Sequence, residues 1–137
     1  MQTTFPRLML EHAAKRPLAA ALREKEYGIW QGMGWAALAQ LVSDLACGLA
    51  LAGLQRGQHI VVVGENRPRL SAVMLAAQSL GAIPVPLYQD AAGEEYIFPI
   101  NNAEVAFAVV EDQEQVDKLL ELREACPRLT SIWYDDP

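Results

Sequence analysis

Residues 59–88 read HIVVVGENRPRLSAVMLAAQSLGAIPVPLY, and this stretch decides the fold class. Ile60–Val63 is a run of β-branched residues, not an alternation of apolar and polar ones. Such a strand needs burial on both faces, as in a parallel sheet covered by helices. It leads directly to Asn66, a good N-cap residue, with Pro68 in the first helical turn, where its missing N–H costs nothing. Leu70, Val73, Met74 and Ala77 then recur at helical spacing, and Gly81 ends the segment. The next strand, IPVPLY, carries alternating prolines, which assigns it to a sheet edge or keeps it short.

The same alternation continues on either side. Downstream, residues 93–101 read as a weaker helix with Asp90 as an upstream cap, which Pro99 should break or kink. VAFAVVED is a third buried strand. Asp112 and Gln115 stand in a capping-box relation before a helix carrying Val116, Leu119 and Leu120. Pro127 stops that helix, and LTSIWYDD supplies a fourth strand. Upstream, the stripe Leu38, Leu41, Val42, Leu45, Leu49 and Ala52 marks a helix over residues 36–52, closed by Gly53-Leu54 as a left-handed cap. Residues 19–25 and 27–33 read as two short strands around a charged turn. Phe5, Leu8, Met9 and Ala13 make an opening helix that Pro17 closes. Strands alternating with helices predict an α/β chain: a doubly wound, mostly parallel sheet with helices on both faces, as one unit over residues 1–137.

Composition narrows the function. The chain is 52% hydrophobic and 20% charged, enough to fill a core. Eleven Lys and Arg face seventeen Asp and Glu, a net charge of −6, and no basic cluster offsets it. Nucleic acid is therefore a poor partner. Cys47 and Cys126 have no Cys or His at metal-ligand spacing and read as reduced, buried thiols; His12 and His59 read as structural. The N-terminus lacks a signal-peptide core, and the most apolar run, Ala72–Tyr88, is interrupted by Gln78, Gly81, Pro84 and Pro86. No membrane span is expected, and the cytoplasm is the expected location.

Ligands of open parallel sheets bind at the carboxyl ends of the strands, which directs attention to Gly64-Glu65-Asn66. A dinucleotide loop would need GxGxxG there, but this one has a single glycine and then an acid that opposes phosphate. The chain has no Walker loop and no GxSxG elbow. The carboxylate pairs Glu94-Glu95, Glu111-Asp112 and Asp135-Asp136 fit solvated or dipole-stabilising roles better than acid–base chemistry. Arg67 and Arg69 could meet an anion at a helix start, although solvent exposure is the simpler reading. Trp30, Trp35 and Trp133 read as packing residues. No catalytic, cofactor-binding or metal residue is assigned.

The run GLALAGLQRGQHIVVVGENRPRLSAVMLAAQSLGAIPVPLY resembles the start of AMP-forming acyl-CoA synthetases, in the adenylate-forming superfamily. The positions that carry the resemblance are Gly53-Leu54, Gly57-Gln58-His59-Ile60, Asn66, Gly81-Ala82 and Pro84-Val85-Pro86-Leu87-Tyr88, with Trp35 upstream. Leu87-Tyr88 and VAFAVVEDQEQVDKLL are most similar to bacterial long-chain fatty acid members. Gln58 stands where the family usually has Asp, and Gly34 where it has Thr or Ser; each should cost about 1 kcal/mol or less. Pro99 falls where the family has a helix.

The resemblance implies an N-terminal portion of an AMP-binding domain, truncated before the phosphate loop. The parent would join ATP, a fatty acid and CoA into acyl-CoA, AMP and pyrophosphate, with Mg2+. ATP, Mg2+ and CoA would all be held outside this chain, which is expected to be structural and inactive. Its expected partners are the remainder of the parent chain and, through uncovered apolar faces, other copies of itself. The alternatives are a free-standing flavodoxin-like binding module and part of an adenylate-forming enzyme acting on another carboxylic acid.

Overall fold

The computed structural model describes residues 3–136. Strand β3 (His59–Val63) lies between β4 (Ile83–Leu87) and β5 (Phe107–Val110), and β6 (Ser131–Tyr134) follows β5, giving the parallel order β4-β3-β5-β6. Ile60 pairs with Pro84 on one side and Phe107 on the other. Ile60, Val61 and Val63 are fully buried, as the β-branched run demands. The prolines of β4 do lie on an edge strand.

Odd and even residues of the strands feed two separate cores. Ile60, Val62, Phe107 and Val109 pack with α1 (Phe5–Lys15), α2 (Trp35–Leu51) and α3 (Pro68–Ser79). Val61, Val63, Ala108 and Val110 pack with α4 (Gly93–Asn102) and α5 (Gln113–Glu121). The connection through α3 runs one way along the sheet and those through α4 and α5 run the other. With crossovers of one hand they must lie on opposite faces. That reversal places a switch point between β3 and β5.

Several helix boundaries depart from the sequence reading. Asn66 does not cap α3; Arg67 does, with φ −88° and ψ 146° and no side-chain bond. A residue before proline is kept out of the helical region, so the helix cannot start before Pro68. Asp90 does not cap α4 either, where Ala92 holds the position. Pro99 leaves α4 continuous: Glu95, whose carbonyl would receive the missing bond, is exposed, and burial of Tyr96 and Ile100 holds the helix on the sheet. The Asp112 cap is present, accepting from the Gln115 N–H at 3.2 Å. The reciprocal half of the box is missing, because the buried Gln115 Oε1 has no partner among the described residues.

The two strands before α2, β1 (Ala20–Glu26) and β2 (Ile29–Gly34), form a separate antiparallel hairpin. Its turn is Tyr27-Gly28, both at positive φ (46° and 81°), and not the charged residues before it. Trp30 is 68% exposed on this hairpin, contrary to the packing role expected of it. Trp35 and Trp133 do pack, Trp35 against His12 at 4.5 Å and Trp133 stacked on Phe107 at 5.6 Å.

The departures at Gly34 and Gln58 have physical compensation. Gly34 offers α2 no side-chain cap, but the Trp35 and Ala36 N–H groups donate to the carbonyls of Ala19 and Pro17. A Cβ on Gly34 would lie 2.9 Å from that Pro17 oxygen, so glycine is what lets the backbone do the capping. Gln58 Oε1 accepts from the Gln55 N–H at 2.7 Å and closes its own turn. At the other end of α2, Leu54 N–H donates to Leu49 and Gly53 N–H to Ala50, the Schellman pattern expected of Gly53-Leu54.

The thiols differ in environment. Cys126 is buried, but Cys47 lies off the apolar stripe of α2 and is exposed, a correction to the expectation of two buried thiols. Burial also raises the Cys126 pKa above its ordinary value. Alkylation of the folded chain at mild alkaline pH should therefore modify Cys47 first and Cys126 only once the chain unfolds. Peptide mass spectrometry over a time course checks this, and equal rates at both thiols would contradict it.

Candidate functional site

The crevice at the switch point is occupied by the protein's own charges. Glu111, the first residue after β5, turns its carboxylate across to the loop after β3. Its Oε2 accepts from the Glu65 N–H at 2.6 Å, and its Oε1 accepts from Arg67 Nε at 3.0 Å. The Glu111 side chain is only 14% exposed. Gly64 makes this approach possible: a Cβ there would overlap Leu70 Cδ1 and lie 2.6 Å from Glu111 Cβ.

Arg67 is the hub. Besides Glu111 it reaches Glu65 at 3.5 Å and Glu24, on the β1–β2 hairpin, at 4.0 Å. The hydrogen bond to Glu111 raises its pKa above the ordinary arginine value, and the surrounding carboxylates add to that. Arg69 pairs with Asp135 at 3.3 Å. Arg69, 64% exposed, keeps the solvent-facing position that the sequence suggested, whereas Arg67 is half-buried among its carboxylate partners.

Around this network lies a polar cleft of about 480 Å³, walled by the hairpin tip (Glu24, Lys25, Glu26, Tyr27), by Arg67 and Arg69, and by Glu111, Asp135 and Asp136. Five carboxylates face three cations, two of them already paired. An incoming polyphosphate would meet net negative charge, and no backbone loop is left open to cradle it. The described residues hold no group of three or more His, Cys, Asp or Glu able to bind a metal ion. ATP and Mg2+ do not fit the groups that converge here.

The other acidic pairs are dispersed. Glu94 and Glu95 lie in the first turn of α4, where they complement the helix dipole. Asp112 caps α5. The sequence reading missed the joining of Glu24, Arg67 and Glu111, because their contacts link segments more than forty residues apart. A second concavity, of about 380 Å³ and apolar, opens between α2, α3 and the sheet, over Leu45, Leu49, Leu70, Val73, Val109 and Trp133. No described helix is long and apolar enough to cross a membrane.

Comparison with known proteins supplies what the geometry does not. The family model described as AMP-binding enzyme matches residues 9–137. The long-chain-fatty-acid–CoA ligase FadD15 of Mycobacterium bovis is 22% identical over 91% of this chain and 21% of its own length. The indoleacetate–CoA ligase of Aromatoleum aromaticum is 29% identical over 92% of the chain and 24% of its own. The chain thus spans about a fifth to a quarter of the length of these curated relatives. Among solved structures, the N-terminal domain of FACL13 from Mycobacterium tuberculosis superposes with a TM-score of 0.84 over 98% of this chain and 34% of that one, at 16% identity. At that identity the likeness speaks for the fold alone.

Proposed function

This chain belongs to the AMP-binding enzyme family, and from that premise we propose that it forms the N-terminal scaffold of an AMP-forming acid–thiol ligase whose acid is a long-chain fatty acid. In this reading the ligase activates the carboxylate with ATP and passes the acyl group to CoA, while these residues contribute sheet and helices and no catalytic group. The observation that carries it is the family match across residues 9–137, combined with a switch-point crevice closed by Glu111 and Arg67. Contacts to ATP, Mg2+ and CoA belong, in this reading, to parts of the enzyme outside the matched segment. The preference for a fatty acid rests on the likeness to FadD15. A second reading, an aryl-acetic acid, is favoured by the higher identity to the indoleacetate ligase.

Two measurements test the proposal. Titration of ATP with Mg2+ into the 137-residue chain should give no binding heat at micromolar protein. Saturable micromolar binding would place a nucleotide site in the scaffold and end the reading of an inactive segment. ATP–pyrophosphate exchange by an enzyme carrying this segment should be driven by long-chain fatty acids. Exchange driven only by aryl-acetic acids would transfer the proposal to the second reading.

A further inference from the structure

The two edges of the parallel sheet are built differently. In a parallel pair, alternate residues direct both N–H and C=O to the same neighbour. On β4, Ile83 N–H donates to Gln58 O at 2.8 Å, so the outward positions are Pro84 and Pro86, which have no N–H to offer. That edge is closed to pairing. On β6, Ser131 and Asp135 N–H groups donate inward to Ala106 and Val110, both at 3.1 Å. The outward positions are therefore Ile132 and Tyr134, and no described strand takes up their N–H and C=O groups.

Strand β6 has the composition of an interior strand without the cover of one. Ser-Ile-Trp-Tyr contains neither proline nor charge, two of the devices that protect natural edges. Trp133 packs on the core shared with α2 and α3, and Ile132 on the core shared with α4 and α5. Their partners in β5, Val109 and Ala108, are 8% and 0% exposed, whereas Ile132 and Trp133 are only half-buried and Tyr134 is 51% exposed. The apolar concavity over Leu45, Leu49, Val73 and Trp133 opens beside this same edge.

We propose that the sheet continues through β6: a strand of the parent ligase from outside residues 1–137 pairs with Ile132 and Tyr134 and lays apolar side chains over Trp133 and the concavity. This rests on the reading of the chain as part of a longer ligase, since it spans 21% of FadD15 and 24% of the indoleacetate ligase. That reading does not itself say which edge receives the remainder; the prolines of β4 and the outward groups of β6 do. An extended backbone is the occupant that satisfies both the N–H and the C=O of each outward residue. Its side chains toward α2 are apolar, because polar ones laid over Leu45, Leu49 and Trp133 would lose water and gain no partner.

Hydrogen exchange resolved to single amides tests the pairing, in an enzyme carrying residues 1–137 and in the 137-residue chain. In the enzyme, Ile132 and Tyr134 should exchange about a hundredfold or more slower than unpaired peptide amides, and in the chain alone within about tenfold of them. Ser131 is bonded inward in both and should slow about tenfold less than these two. Tyr134→Pro copies the device of β4, and Tyr134→Ala removes the side chain alone. Exchange at Trp133 should agree within about threefold between these variants of the chain, and be about tenfold or more faster for proline in the enzyme. Unpaired rates at Ile132 and Tyr134 in the enzyme overturn the proposal, and that arm needs neither a substitution nor folding of the chain alone. Equal protection in chain and enzyme overturns it too, since the occupant would then not come from the rest of the ligase. Equal behaviour of the proline and alanine variants in the enzyme does the same. The acid that drives ATP–pyrophosphate exchange reports on the substrate and is blind to the sheet edge, so the two proposals fail separately.

Discussion

Gly64→Ala is expected to lower the stability of the chain by about 3–5 kcal/mol, the sum of backbone strain and overpacking. Gly64 has φ +154°, a region an L side chain rarely adopts. The added methyl has no space, since Leu70 Cδ1 and Glu111 Cβ stand where it would go. Leu70 is 3% exposed and cannot swing out without opening the core beneath α3. Glu111 cannot withdraw without giving up the Glu65 N–H and Arg67. Urea unfolding followed by far-UV circular dichroism reads the effect. A loss under about 1 kcal/mol would mean that the loop after β3 relaxes at little cost, and the close approach across the switch point would then be incidental.

The second large effect is expected at Glu111. Glu111→Ala removes the acceptor of the Glu65 N–H and the nearest of the three carboxylates around Arg67. A loss of about 2 kcal/mol is expected, the worth of a hydrogen bond to a charged acceptor, since the Glu65 N–H is exposed and water can reach it. Arg67 is 41% exposed and still has Glu65 and Glu24, so its share is screened and modest. Glu111→Gln keeps the shape and an acceptor for the amide and should lose about half as much. In a double-mutant cycle, Arg67→Ala and Glu111→Ala should couple by about 1 kcal/mol or less. Equal losses for the Ala and Gln variants would show that charge, not the amide bond, dominates. A loss below about 0.5 kcal/mol in Glu111→Ala would mean that packing alone holds the loop after β3 against the end of β5.

These two residues explain why the candidate site resisted reading from sequence. Glu65 by itself argued against a phosphate loop, and it does lie at the switch point. Arg67 looked like a candidate anion ligand because its partners, Glu24 and Glu111, lie 43 and 44 residues away in the chain. No local pattern announces such a pairing. The Cys47 and Trp30 expectations failed for a related reason: residue type predicts burial only on average, and the orientation of a helix or hairpin decides the individual case.

What the sequence determined alone was whatever depends on neighbours along the chain. The β-branched run of β3 required burial on both faces, the prolines of β4 called for an edge or a short strand, and Asp112 required a helix start three residues before Gln115. Alternation of such segments was enough for a doubly wound α/β fold. Only the tertiary structure decided how costs in one element are offset by another. Pro17 and Ala19 cap α2 in place of a side chain, α4 stays continuous through Pro99 against the sheet, and Glu111 fills the crevice that Gly64 leaves open. The reason is that local propensities are worth about 1 kcal/mol per position, whereas burial and long-range pairing act on whole elements and prevail wherever the two disagree.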